Sequence, residues 1–98
     1  MNDKLQSIID RYQAVENELH NPSIVQDAKR FRDTSREYKQ LEPIAKAAME
    51  FLELSKQLND NKELLEISGL DHELRELAYE EQNELQEQLV KKDEEPFS

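Results

Sequence analysis

The chain has 98 residues, 23 of them acidic and 13 basic, which gives a formal net charge of −10 at pH 7. This length allows one domain at most. Because phosphate backbones repel a chain with this net negative charge, we expect no autonomous nucleic-acid binding. The chain has no cysteine, so disulfides, thiolate metal sites and cysteine nucleophiles are excluded.

The first predicted element is an amphipathic helix over residues 3–20. One Gly and three Pro in the whole chain leave little turn chemistry, whereas Glu, Gln, Leu, Lys and Ala favour helices. Apolar residues in the first segment recur at spacings of three and four: Leu5, Ile8, Ile9, Tyr12, Val15 and Leu19. The helix should end near His20, because Asn21 precedes Pro22 and is disfavoured in helical geometry.

The second predicted element is one long helix over residues 26–66, with Asp27 near its start as a good N-cap. Two series of residues spaced seven apart cross Pro43 without losing phase: Phe31, Tyr38, Ala45 and Leu52, then Thr34, Leu41 and Ala48. A proline inside a helix costs about 3 kcal/mol, but each buried apolar side chain returns about 1.5–3 kcal/mol. We therefore expect a single helix kinked near residues 41–43, with two separate helices as the alternative.

The third predicted element is a helix over residues 71–91. Gly69, the only glycine, suits the left-handed residue that closes the preceding helix, and Asp71 can cap the next one. The apolar stripe of this third helix consists of Leu70, Leu74, Leu77, Ala78, Leu85 and Leu89. Residues 93–98 are charged, contain Pro96 and lack periodicity, so they are predicted to be a frayed linker or tail.

Three helices that each bury one face predict an all-α fold, an antiparallel three-helix bundle over residues 1–92. The long, Pro-kinked middle helix would pair with the first helix along its first part and with the third helix along its second part. This arrangement has few, short connections, as the scarcity of glycine and proline requires.

The charge is unevenly distributed along the chain. Residues 29–39 contain five bases, whereas residues 63–95 contain twelve acids against three bases. One interpretation is that these regions are adjacent in the bundle and partly neutralise each other. The other is that the bases contact a partner.

No residue set predicts catalysis, metal binding or a cofactor. His20 and His72 lie at predicted helix ends with no ligand-spaced residues around them, and Glu80, Glu81 and Glu84 are typical of a solvated helix face. The aromatic residues favour core packing over base stacking. We therefore expect a protein without enzymatic activity, without a membrane span and with a cytoplasmic location.

The stretch "NPSIVQDAKRFRDTSREYKQLEPI" resembles the N-terminal domain of bacterial class-one peptide chain release factors. The positions that carry the resemblance are Asn21, Pro22, Asp27, Arg30, Phe31, Ser35, Arg36, Glu37, Tyr38 and Leu41. The segments "KLQSIIDRYQAVENEL" and "ELRELAYEEQNELQEQL" are similar to the first and last helices of that domain. The absence of Trp after Pro22 resembles the factors that read UAA and UAG.

The resemblance implies a supporting role in translation termination. In the family, this bundle extends towards the stalk base of the large ribosomal subunit and helps to position the factor. The residues expected to contact the ribosome are Arg30, Arg32, Arg36 and Lys39. The Gly-Gly-Gln loop and the codon-reading tripeptide of the family do not occur in this sequence, which implies a domain fragment.

Two other functions remain open from the sequence. The chain could be a standalone acidic helical adaptor that binds a partner helix in a groove beside Glu81. It could also be a short paralogue that competes for the ribosomal site.

Overall fold

The structure is a computed structural model that describes residues 2–94, with side chains described for residues 3–92. It contains the α-helices α1 (Asn2–Leu19), α2 (Ala28–Leu65) and α3 (His72–Glu94), and a 3₁₀ helix (Pro22–Gln26) between α1 and α2. No strand occurs among residues 2–94. The predicted all-α fold is confirmed.

The middle helix α2 is continuous for 38 residues and contains Pro43 in its interior. The prediction of one long helix is therefore confirmed, and the alternative of two helices is wrong. Pro43 has no N–H for the carbonyl of Lys39, but both residues are exposed, where water can reach that carbonyl. Thr34, Ala45 and Ala48 of the predicted stripe are buried on both sides of the proline.

The start of α2 lies two residues later than predicted. Residues up to Gln26 form the 3₁₀ helix, and Asp27 is extended, with φ −117° and ψ 92°. This extended residue breaks the helical path and caps α2, so the helix begins at Ala28.

The chain divides into two compact units, with the division between Glu50 and Phe51. The first unit contains α1, the 3₁₀ helix and the first part of α2. α1 and α2 are antiparallel there, since Arg11 pairs with Glu37 and Glu18 pairs with Arg30. Its buried residues are Ile9, Tyr12, Val15, Ile24, Thr34, Ala45 and Ala48.

The second unit contains the end of α2 and α3, which are also antiparallel. Asn61 Nδ2 donates to the carbonyl oxygen of Ala78 at 2.6 Å, and the Arg75 guanidinium donates to the carbonyl oxygens of Leu65 and Ile67 at 3.1 and 3.3 Å. Arg75 thus satisfies the last carbonyl of α2 and one carbonyl of the connection that follows. Ala78 and Leu85 are the buried apolar residues of the described part of this unit.

The connection between α2 and α3 agrees with the sequence in part. Gly69 has the predicted left-handed conformation, with φ 78°, but α2 ends at Leu65, so Gly69 lies in the connection and does not close the helix. The Asp71 carbonyl accepts from the Arg75 N–H at 2.9 Å, so Asp71 precedes the first turn of α3 as expected. Both helix pairs are antiparallel with short connections, which confirms the predicted bundle.

The predicted tail of residues 93–98 overlaps with α3. The helix continues to Glu94, three residues beyond its predicted end, so residues 93 and 94 are helical. Residues 95–98 of the predicted tail lie outside the described residues. Within the described range, no helix is both long enough and apolar enough to cross a membrane.

Candidate partner-binding surface

Two residues of the release-factor-like motif cap helices and thereby orient the start of α2. The Asn21 Oδ1 atom accepts from Ser23 N at 3.0 Å and from Ser23 Oγ at 2.9 Å. Asp27 Oδ1 accepts from Arg30 N at 3.1 Å. Pro22 occupies the first turn of the 3₁₀ helix, where its missing N–H has no cost.

Three further motif residues join α2 to α1. Glu37 accepts from both Nε and Nη2 of Arg11, at 2.7 and 2.6 Å. The Arg30 Nε atom donates to Glu18 Oε1 at 2.9 Å. The Arg11 guanidinium beside Glu37 lowers the pKa of that carboxyl, mainly through its hydrogen bonds.

Tyr38, the third of these residues, is in a hydrogen-bond chain with α1. The Tyr12 hydroxyl donates to the Tyr38 hydroxyl, which donates to Glu16 Oε2, and both distances are 3.0 Å. These hydrogen bonds, first that with Tyr12 and then that with Glu16, raise the pKa of Tyr38 well above its usual value. Arg30, Glu37 and Tyr38 therefore serve the joint between the two helices.

Three motif residues, Phe31, Ser35 and Arg36, form a surface with neighbouring side chains of α2, and we name it the cation–aromatic surface. It is a shallow depression of about 450 Å³ lined by Phe31, Arg32, Ser35, Arg36, Lys39 and Gln40. These residues follow each other at helical spacing along one side of α2. The Phe31 side chain, with 43% of its surface exposed, supplies the apolar part.

The cations of this surface differ from Arg30 in their pairing. Arg32, Arg36 and Lys39 form no salt bridge or side-chain hydrogen bond among the residues that the structure describes, whereas Arg30 is held by Glu18. The structure thus brings three of the four predicted contact residues together around Phe31. Arg30 is instead neutralised by an acid of α1.

The exposure of Phe31 corrects the sequence analysis, which placed this residue on the packed stripe of α2. α1 ends at Leu19, one residue after Glu18, which pairs with Arg30. Little of α1 therefore lies beside the first turn of α2, and Phe31 stays at the edge of the contact. Leu41, the last motif residue, is half-buried as its position in the stripe predicts.

The partners of these residues on α1 were not predicted from the sequence; they are Arg11, Tyr12, Glu16 and Glu18. The sequence signals them only weakly, because the partner of a charged side chain on a helix surface can be identified only when the register of the neighbouring helix is known. Outside this surface, His20 Nδ1 lies 2.9 Å from the Glu16 carbonyl oxygen and His72 pairs with Glu76, so each histidine has a local partner.

Comparisons with known proteins match nearly the whole chain. The model of the PCRF domain family matches residues 8–96. The chain is 43% identical over 91 residues to peptide chain release factor 1 of Chlorobaculum tepidum, covering 93% of this chain and 25% of that protein. It is 40% identical over 85 residues to peptide chain release factor 1 of Oceanobacillus iheyensis, covering 87% of this chain and 24% of that protein.

A third relative, peptide chain release factor 1 of Listeria monocytogenes, is 40% identical over 88 residues, with 90% of this chain and 24% of that protein covered. The chain therefore spans about a quarter of the length of these curated relatives. No solved structure matches it significantly. The predicted resemblance to release factors is confirmed, and the chain belongs to the PCRF domain family.

Proposed function

We propose that the chain is the N-terminal accessory domain of a cytoplasmic peptide chain release factor and helps to position that factor on the ribosome during stop-codon-directed termination. Support comes from relatives that are named as release factors and resemble this chain over most of its length. In this proposal the chain supplies binding, and other segments of the factor read the codon and hydrolyse peptidyl-tRNA. The missing Trp after Pro22 favours the type that reads UAA and UAG.

The observation that carries the proposal is the cation–aromatic surface. Arg32, Arg36 and Lys39 are exposed and unpaired among the described residues, although the whole chain has ten more acids than bases. Unpaired cations beside an exposed aromatic ring suit contact with phosphates or with acidic groups of a protein. In this proposal, the partner of the cation–aromatic surface is the stalk base of the large ribosomal subunit.

The joint between α1 and α2 gives the surface a fixed base. The two-point contact of Arg11 with Glu37 and the stacking of Tyr12 on Tyr38 hold two residues of α2 that lie between the cations Arg36 and Lys39 in the sequence. A binding surface on an element that is already ordered loses less conformational entropy when it binds. The same motif thus contributes residues to the support and residues to the contact.

The test uses a chimeric factor in which this chain replaces the matching segment of the Chlorobaculum tepidum release factor. We expect the chimera to release peptide from stop-codon-programmed ribosomes. The variant Arg32→Glu/Arg36→Glu should raise KM several-fold with little change in kcat, because the surface acts on association. This effect should weaken at high salt, where the wild-type contact is itself screened.

The matched control is Lys56→Glu/Lys62→Glu. These two lysines are exposed on the same helix, lie outside the cation–aromatic surface and make no ion pair among the described residues. Their reversal changes the net charge by the same amount and should leave KM unchanged. Equal effects of both double variants, or no effect of either with intact folding, would contradict the assignment of the surface.

A further inference from the structure

The second unit carries an exposed apolar surface that the proposed role on the ribosome does not use. Leu64 of α2 and Leu74 and Leu77 of α3 have 37%, 51% and 60% of their surfaces exposed. They line a shallow depression of about 350 Å³ together with Asn61, Ala78, Glu80, Glu81 and Glu84. We name this the acidic-rimmed leucine surface.

The geometry of a helix pair explains why these leucines are uncovered. Two antiparallel helices bury one seam, which here contains Ala78 and is bridged by the hydrogen bond from Asn61 to the Ala78 carbonyl. Leu74 and Leu77 were predicted to belong to the packed stripe of α3. They lie instead at the outer edge of the seam, where no side chain of the described part of this unit covers them.

The rim of the surface has a single sign of charge. Glu80, Glu81 and Glu84 make no salt bridge among the described residues, and the lining contains no basic side chain. Glu80 and Glu84 are four positions apart on one helix face, a spacing at which like charges destabilise the helix. Cations supplied from outside would remove this repulsion.

We propose that the acidic-rimmed leucine surface is a docking site for a basic amphipathic segment of a protein partner. Apolar side chains of the segment would cover the leucines, and its Lys or Arg side chains would pair with the three glutamates. The negative rim repels nucleic acid and anionic lipid, so the charge selects a polypeptide. This surface goes beyond the proposed ribosomal contact, because the cation–aromatic surface selects partners of the opposite charge.

The probe is a synthetic, fluorescently labelled helical peptide of about five turns, with leucines at positions i, i+3, i+4 and i+7 and lysines or arginines elsewhere. Two control peptides have the same length: one contains the same residues in an order that lacks an apolar face, and one replaces every base with Glu. Fluorescence anisotropy with the complete chain measures the three affinities. We expect the basic amphipathic peptide to bind at least about tenfold more tightly than either control.

Variants of the chain test where the peptide binds. Leu74→Ser/Leu77→Ser should weaken binding about tenfold or more, whereas Val90→Ser, an exposed apolar residue of α3 outside the surface, should not. Glu81→Lys/Glu84→Lys should weaken binding several-fold, and the exposed pair Glu66→Lys/Glu87→Lys should have a smaller effect. Circular dichroism of each variant must show unchanged helix content, which is expected because the altered side chains are exposed.

Three results would overturn the proposal. The first is equal affinity for the amphipathic peptide and its reordered control. The second is a loss of binding that is the same for Val90→Ser as for the leucine double variant. The third is a concentration-dependent dimer in analytical ultracentrifugation that Leu74→Ser/Leu77→Ser abolishes, since the surface would then be covered by a second copy of this chain.

Discussion

Tyr12 of α1 and Tyr38 of α2 stack with ring centroids 4.9 Å apart and an angle of 12° between their planes. The Tyr12 hydroxyl donates to Tyr38, and the Tyr38 hydroxyl donates to Glu16. Two side chains that are 26 positions apart therefore join α1 to α2 by both an aromatic contact and a directional hydrogen-bond chain. Tyr38 also belongs to the motif by which the sequence resembles release factors. One residue of that motif therefore holds α1 and α2 of the first unit together.

The hydrogen-bond chain predicts a loss of stability at alkaline pH. The pKa of Tyr38 is raised in the folded state by the hydrogen bonds of its hydroxyl with Tyr12 and with Glu16, and ionisation would remove the proton donated to Glu16. Its contribution to folding is thus fully present below the pKa of an unfolded tyrosine and is lost as the pH rises above that value. Urea unfolding across this range should show a steeper alkaline decline for wild type than for Tyr38→Phe.

The control for this prediction is Tyr79→Phe, which alters an exposed tyrosine of α3. This variant should keep the alkaline decline of the wild type. An identical pH profile for wild type and Tyr38→Phe would show that the hydrogen-bond chain does not contribute to stability.

The Arg11–Glu37 pair predicts a loss of stability at acidic pH. Arg11 lowers the pKa of Glu37 in the folded state, so the contribution of the pair is present above the pKa of an unfolded glutamate and is lost as the pH falls through the folded-state value. Both side chains are partly exposed, at 56% and 38%, so solvent screening keeps the effect small. Glu37→Gln should flatten the acid limb of the stability profile, while the exposed Glu66→Gln should not.

The burial of Ile24 indicates that the 3₁₀ helix contributes to the core. Its side chain is 1% exposed, whereas that of the next residue, Val25, is 73% exposed. Ile24→Ala should lower the free energy of unfolding by about 2–5 kcal/mol, the usual range for removing such a buried side chain. Val25→Ala should change it by less than about 0.5 kcal/mol, as for most surface substitutions. Chemical denaturation of the two variants measures this difference, and equal values would contradict the packing.

Because Pro43 lies inside α2, we expect its replacement to increase the stability of the folded chain. Pro43→Ala supplies an N–H for the Lys39 carbonyl and should raise the free energy of unfolding by up to about 3 kcal/mol. Pro22→Ala serves as the matched control, since Pro22 lies in the first turn of the 3₁₀ helix, where no hydrogen bond is regained. We expect it to destabilise slightly through the more flexible unfolded chain. Thermal unfolding followed by circular dichroism distinguishes these outcomes, and no gain in Pro43→Ala would be contrary to this explanation.

The sequence by itself determined the features that depend on residues close along the chain. The seven-residue phase across Pro43 predicted a continuous α2, because helical periodicity is local and a break would have shifted it. Asp27 marked the start of α2 for the same reason, since a cap acts on amides within one turn. The fold class and the family resemblance followed from such signals.

The tertiary structure decided which side of each helix is used. The Arg11–Glu37 pair spans 26 residues, so only the packing register of α1 on α2 could join them and leave Arg32 and Arg36 unpaired among the described residues. Leu77 has the periodicity of a core residue, yet it is exposed, because two helices bury one seam between them. Hydrophobic spacing defines a helix face, but the number and position of neighbouring helices determine whether that face is covered.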